Sequence, residues 1–193
     1  MISVSVTRRQ KKYQRIRRFL IRLGLYLAGV LIVIILGLFC VRNFGTQTVM
    51  IDSAMAPTID SEDVVLVDKM AYRIGDPQHM DIAVVRVGRS EHGPSYIRRI
   101  IGLPGESVRI TNGQLFVNDT AVDIDYNEDA IEEAGAAEKS IVLGEDEYFV
   151  FCDDYNNNRD DSRLDSIGLI ERDQIIGRVW FRLAPAKAIG RIK

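Results

Sequence analysis

The chain of 193 residues has few of the side chains that bind metals or form disulfides. It contains two cysteines, Cys40 and Cys152, and two histidines, His79 and His92, and none of them has the spacing of a metal-ligand motif. We therefore expect neither a metal site nor another cofactor. Cys40 lies at the end of a long apolar run, so the sequence does not predict that it pairs with Cys152.

Acidic residues are absent from the first 41 positions. Residues 1–22 hold eight basic side chains, whereas residues 42–193 hold 17 basic residues against 27 acidic ones, a net charge of −10. A nucleic-acid-binding domain needs a basic face for the phosphates, so this acidic body argues against nucleic acid as a partner. The content of 47% hydrophobic and 27% charged residues excludes a disordered chain.

Charge of either sign is absent from residues 23–41, which as a helix would be about 28 Å long, close to the hydrocarbon thickness of a bilayer. A buried helix of a soluble protein rarely runs this long without a polar residue. A cleaved signal peptide is disfavoured because the run exceeds the usual apolar core, and the A-x-A sequence at 54–56 lies 13 residues beyond it. The positive-inside rule therefore predicts a basic cytoplasmic arm at 1–22, a single signal anchor in the plasma membrane and an extracytoplasmic domain at 42–193.

The outward domain has the pattern of a mainly β protein, with short apolar runs separated by turn residues and no internal repeat. Asn112-Gly113 is a strong hairpin signal because both turn positions need positive φ. Residues 119–140 are acidic and alanine-rich, and we expect an exposed insertion there, as a solvated loop or a short helix. The predicted strands are 64–67, 82–87, 96–101, 107–110, 114–117, 148–152 and 176–183.

Three segments then follow the apolar run in a recognisable order. They are IDSAMAPTI at 51–59, YIRRIIGLPGE at 96–106 and CDDYNNNRDDSR at 152–163, with MDIAVV at 80–85 between the first two and IIGR at 175–178 behind the third. Together they resemble the type I signal peptidases, the membrane-bound serine proteases that remove signal peptides from exported proteins. The resemblance covers residues 19–190 and has the single-anchor layout of Gram-positive members.

This resemblance implies a signal-peptidase-like β-barrel or β-sandwich domain with a Ser–Lys dyad. The serine precedes the Met of an S-M-x-P-T motif, and the lysine is third in a Y-I-K-R-x-x-G-L-P-G motif. Burial lowers the pKa of such a lysine, so that its neutral amine can take the serine proton. A backbone N–H and a small or hydroxyl residue two positions upstream form the oxyanion hole, and a serine of the third motif holds the lysine.

In this sequence the dyad positions carry other residues. Ala54 stands at the nucleophile position, and an alanine methyl cannot attack a carbonyl. Arg98 stands at the general-base position, and a guanidinium stays protonated in proteins. Arg159 takes the place of the lysine-orienting serine, and Asp52 lies at the oxyanion-hole position, where a carboxylate repels the developing charge. Ser53 is adjacent to Ala54, but in an extended segment its side chain points the other way.

The residues that set the fold are retained. We expect Asp161 and Arg163 to form a structural ion pair or a solvated loop, and Ser53, Met55 and Pro57 to contribute to client binding. Arg98 and Arg159 would place two fixed positive charges where the dyad stood, which predicts a preference for an acidic client.

Three functions fit the sequence. The preferred one is a non-catalytic relative that binds exported preproteins or pilin subunits in its groove, as inactive relatives do in pilus assembly, where they help sortases. The alternative is a signal peptidase that cleaves exported preproteins, with the dyad altered in this copy. A third is a membrane-tethered β domain whose partner surface, such as the acidic stretch 123–138, is unrelated to the groove.

Overall fold

The chain forms two units, Met1–Arg42 and Asn43–Lys193. The computed structural model describes residues 3–44, 46–49, 52–88, 90, 93–124 and 129–192, so His92 lies outside the described residues. Helix α1, Ser3–Phe44, contains the apolar segment Ile16–Phe39, with a mean hydropathy of 2.6. This segment of 24 residues is long and apolar enough to cross a membrane, and its side chains are not buried against protein.

The second unit is built of two antiparallel sheets. The larger has the strand order β1-β2-β11-β3-β4-β9-β10 with β12 paired to β11, and the smaller has the order β7-β6-β5-β8. The strands are β1 Thr46–Val49, β2 Val64–Asp68, β3 Ile82–Arg86, β4 Ser95–Gly102, β5 Ser107–Thr111, β6 Gln114–Val117, β7 Thr120–Ala121, β8 Ile141–Val142, β9 Glu147–Phe151, β10 Ile170–Glu171, β11 Ile175–Ala184 and β12 Gly190–Arg191. The short helices are α2 Ala71–Ile74 and the 3₁₀ turns Gly135–Glu138, Arg172–Gln174 and Ala186–Ala188.

The mainly β prediction is confirmed, and each of the seven predicted strands overlaps an observed one. Asn112 and Gly113 have φ of 51° and 75° and join β5 to β6, so the predicted hairpin turn is present. Four of the five strands that the sequence did not indicate have two residues, too few to show a period, and the fifth, β1, has the mostly polar sequence TQTV.

The acidic stretch 119–140 is mostly exposed and has two apolar anchors in the core. Its residues 125–128 lie outside the described residues, but Ile131 and Ala137 are buried in the core between the sheets. The short helical turn expected as the alternative is present at Gly135–Glu138. Most described residues of the stretch are exposed, and its two buried apolar side chains belong to the same core cluster as Leu115 and Tyr155.

Strand β4 carries two adjacent arginines, Arg98 and Arg99, that are buried in the domain. It lies between β3 and β9, and both of its faces are covered from Ile97 to Gly102. Successive side chains of a strand point to opposite faces. Arg98 and Arg99 therefore enter two different buried environments, and each needs its own partners.

Gly102, at the end of β4, lies where the two sheets touch, and Gly102→Ala should destabilise the domain. An added Cβ would come within 2.6 Å of Val108 Cγ2, 2.7 Å of Leu143 Cδ1 and 3.1 Å of the Phe149 Cβ. These neighbours are themselves buried, so overpacking should cost about 1–3 kcal/mol in denaturant unfolding. Gly75→Ala is the matched control, because its nearest atom would lie 3.5 Å away. Equal stability of the two variants would contradict the packing account.

Candidate functional site

The segment between β1 and β2 is held as a compact turn. Ala56 N donates to Ser53 O at 3.0 Å and Ile59 N donates to Met55 O at 2.8 Å. The Met55 and Ile59 side chains are fully buried in the core, which anchors the turn to the sheet. Ala54 is also buried, and its carbonyl accepts a hydrogen bond of 3.0 Å from Asp154 N, in the segment after β9.

Arg98 reaches the same place from β4, and its side chain is 0% exposed. Its Nε donates to Asp160 O at 2.6 Å and its Nη1 donates to Ile97 O at 2.6 Å. The guanidinium lies 4.9 Å from the centre of the Tyr96 ring. A fully buried cation that is tied to carbonyls and an aromatic ring can take no proton from a nucleophile.

The Asp52 carboxylate contacts both Ala54, at the nucleophile position, and Arg98, at the general-base position. Its Oδ1 accepts the Ala54 N–H at 3.1 Å, and its Oδ2 lies 3.5 Å from Arg98 Nη2. The Asp52 side chain is 37% exposed, so this carboxylate lies at the surface end of the group. The backbone N–H that an oxyanion would need is thus already bonded to a negative charge.

The other predicted site residues are placed differently. The Arg159 guanidinium is half exposed and pairs with Glu133, whereas Arg98 is fully buried. The Met55 side chain, expected at the binding surface, is inaccessible in the core, whereas Ser53 and Pro57 are exposed. Of the two fixed positive charges expected at the dyad, Arg98 lies beside Asp52 and Arg159 pairs with Glu133.

A second buried ion pair lies on the opposite face of β4, and the sequence did not reveal it. Arg99 Nε and Nη2 donate to the two carboxylate oxygens of Asp153 at 2.8 and 2.6 Å. Arg99 also donates to Met80 O at 3.0 Å and to Thr58 Oγ1 at 3.3 Å. The pair joins the three segments of the resemblance. The sequence did contain a signal for this ion pair. Arg98 and Arg99 are consecutive basic residues in a predicted strand, and if both faces of that strand are buried each arginine needs an acidic or carbonyl partner.

Asp161 and Arg163 form a buried ion pair. Arg163 Nη2 donates to Asp161 Oδ2 at 2.8 Å, and Asp161 Oδ2 accepts Cys152 N at 3.0 Å. The Arg163 guanidinium also lies 4.5 Å from the centre of the Phe151 ring. It donates to the carbonyls of Glu133, Tyr155 and Asn158 as well. The arginine thereby holds the segment after β9 against the acidic stretch.

Burial raises the pKa of the Cys152 thiol, and the neighbouring Asp161 carboxylate raises it further. The reactive thiolate is therefore scarce at pH 8, and we expect no alkylation of the folded protein. The test uses Cys40→Ala, which leaves Cys152 as the sole thiol, and follows iodoacetamide labelling by mass. Labelling should become fast in denaturant. Equal labelling rates with and without denaturant would contradict the conclusion that the folded protein keeps Cys152 unreactive.

Residues 23–184 match the family described as signal peptidase, peptidase S26, and the chain belongs to this family. The predicted family is confirmed. With its one long apolar helix among the described residues, family membership indicates membrane anchoring.

Relatives of both kinds, active and inactive by name, are similar to the chain. It is 30% identical to signal peptidase I of Leptolyngbya laminosa, over 88% of this chain and 82% of that protein. It is 32% identical to the probable signal peptidase I-2 of Synechocystis, over 72% of this chain and 62% of that protein. It is 30% identical to the inactive signal peptidase IA of Staphylococcus aureus, over 83% of this chain and 91% of that protein. A crystal structure of a signal peptidase I from Enterococcus faecalis matches 54% of this chain and 97% of that one, with 25% identity and a TM-score of 0.45.

Proposed function

We propose that this protein is a non-catalytic, membrane-anchored member of the signal peptidase family that binds exported proteins without cutting them. The observation that carries the proposal is the Asp52 carboxylate, which accepts the Ala54 N–H and pairs with Arg98. Nucleophile, base and oxyanion donor are each replaced or occupied. A hydrolase lacking all three has no route to the tetrahedral intermediate.

Client binding needs no part of the dyad. Strand β1 lies at one end of the larger sheet, and among the described residues it pairs with β2 alone. An extended client segment can add to such an edge through main-chain hydrogen bonds. Ser53 and Pro57 are exposed in the segment that follows β1 and would contact the client beside that edge.

The proposed topology places residues 1–22 in the cytoplasm and residues 42–193 outside the plasma membrane. The eight basic side chains of the arm and the acid-free helix support this direction. The clients are then exported preproteins or pilin subunits, and a sortase would be the enzyme that joins the pilins. The pilus role would be refuted by a gene neighbourhood without pilin and sortase genes.

The test is cleavage and retention of one client. The full-length protein in detergent is mixed with a secretory precursor, with an active signal peptidase as the positive control and the mature client as the control for retention. We expect no mature product, and we expect the precursor to co-purify while the mature client does not. Product formation would overturn the non-catalytic assignment, and Ser53→Ala would then show whether Ser53 is the nucleophile. A precursor that is neither cut nor retained would overturn the client-binding assignment.

A further inference from the structure

Strand β11 changes its partner strand near its middle, where the Trp180 carbonyl accepts Ile192 N at 3.1 Å. Its pairing with β3 ends at Arg178, and its pairing with β12 begins at Phe181. On the other side the register with β2 shifts between Val179 and Phe181, which makes Trp180 a bulged residue. Bulges re-aim side chains and interrupt the ladder. A cavity of about 140 Å³ lies here, lined by Arg178 and Trp180 and by Arg191 of β12.

Two residues in the cavity wall each carry a buried donor without an acceptor. Arg178 Nε and Trp180 Nε1 are buried without a hydrogen-bond partner, and they are the two such side-chain atoms in the described part of the chain. Buried N–H groups are almost always bonded, so an unpaired one needs an explanation. Both of these belong to residues that line the same cavity. The two unpaired donors therefore lie on neighbouring residues of one cavity wall.

The charge around the cavity favours an anion. Arg178 and Arg191 both line it, and the one acid in its wall is Asp81. Asp81 Oδ2 already accepts Tyr72 Oη at 3.0 Å and Gln78 N at 3.1 Å, and its Oδ1 lies 3.7 Å from Arg178 Nη1. Arg191 has no ion pair among the described residues. The cavity is also much larger than one water needs.

We propose that this cavity binds a carboxylate, which accepts hydrogen bonds from Arg178 Nε and Trp180 Nε1. A carboxylate has two oxygens to offer, and its charge offsets the excess of arginine at the cavity. The site is separate from the Asp52–Arg98 pair and does not depend on the proposed client function. The carboxylate can belong to an acidic side chain or to a chain terminus of a bound partner.

Binding at this site can be followed by tryptophan fluorescence, because Trp180 is the sole tryptophan of the chain. Full-length protein in detergent is titrated with sodium acetate at constant ionic strength, with sodium chloride and neutral acetamide as controls. We expect a saturable change of tryptophan emission with acetate alone. An emission that acetate leaves unchanged, or that acetamide changes equally, would overturn the proposal and leave a cavity that holds only water.

Single-residue variants show whether acetate binds at this cavity or responds to the overall charge of the protein. Arg178→Gln should weaken acetate binding by about tenfold or more, because a charge-assisted hydrogen bond is lost. Arg191→Gln, at an exposed position, should weaken it without endangering the fold, and Lys187→Gln outside the cavity should change nothing. Equal affinity in all three variants would also overturn the proposal. Comparison of N-acetylalanine with the α-amide of N-acetylaspartic acid then tells a chain terminus from a side chain.

Discussion

Restoring the two dyad residues should leave the protein inactive, and cleavage should appear only when Asp52 is replaced as well. In Ala54→Ser/Arg98→Lys, the Asp52 carboxylate would lie beside the new lysine and favour its protonated form, so the amine could not act as a base. The same carboxylate would still accept the N–H of residue 54, at 3.1 Å in the present chain. Both effects act against the reaction at once.

The triple variant, with Asp52→Ser added, removes the charge and supplies a hydroxyl in its place. Loss of one oxyanion donor typically costs a factor of about 100–1,000 in rate, so the triple variant should exceed the double variant by at least about a hundredfold. The readout is mature product from a secretory precursor in detergent. Ala54→Ser/Arg98→Lys/Ser53→Ala is the matched control, because it changes a neighbouring side chain and keeps Asp52. Equal activity of the double and triple variants would show that Asp52 has no inhibitory role, and a folded but silent triple variant would refute this account of the defect.

The strands could be predicted from the sequence because burial leaves a period in it. Short segments rich in apolar residues between turn residues marked the longer strands, and the Asn112-Gly113 turn indicated one hairpin through its own backbone preference. Strands β7, β8, β10 and β12 have two residues each and carry no period. Ile131 and Ala137 lie in an acidic, alanine-rich stretch whose composition resembles that of a loop, so composition hid their burial.

The site could be predicted only as far as alignment with a family allows. Family order brought Asp52, Ala54 and Arg98 into one region, but it did not indicate that one carboxylate would bridge the other two. That outcome depends on side-chain rotations in a turn and on burial of the Arg98 guanidinium. Arg159 illustrates the same limit, since the family motif put it at the position of the lysine-orienting serine, whereas its guanidinium pairs with Glu133. Spacing in a loop does not determine the direction of a side chain.

The largest loss of stability should come from Arg163→Met. This change leaves the Asp161 carboxylate buried without its cation and deprives the carbonyls of Tyr155 and Asn158 of their donor. Removing one partner of a buried ion pair costs about 3–5 kcal/mol. For a domain of this size the expected fall in Tm is roughly 6–20 °C. Circular dichroism of the full chain in detergent measures it.

Two further variants show whether the uncompensated charge is the cause. Arg109→Met breaks the exposed pair with Asp119, whose N–O distance is 3.3 Å, and should change Tm little because exposed pairs contribute little. Asp161→Asn/Arg163→Met removes the buried charge and keeps an acceptor for Cys152 N, so it should be more stable than Arg163→Met alone. If the double variant is no more stable than Arg163→Met, the uncompensated Asp161 charge is not the cause of the loss.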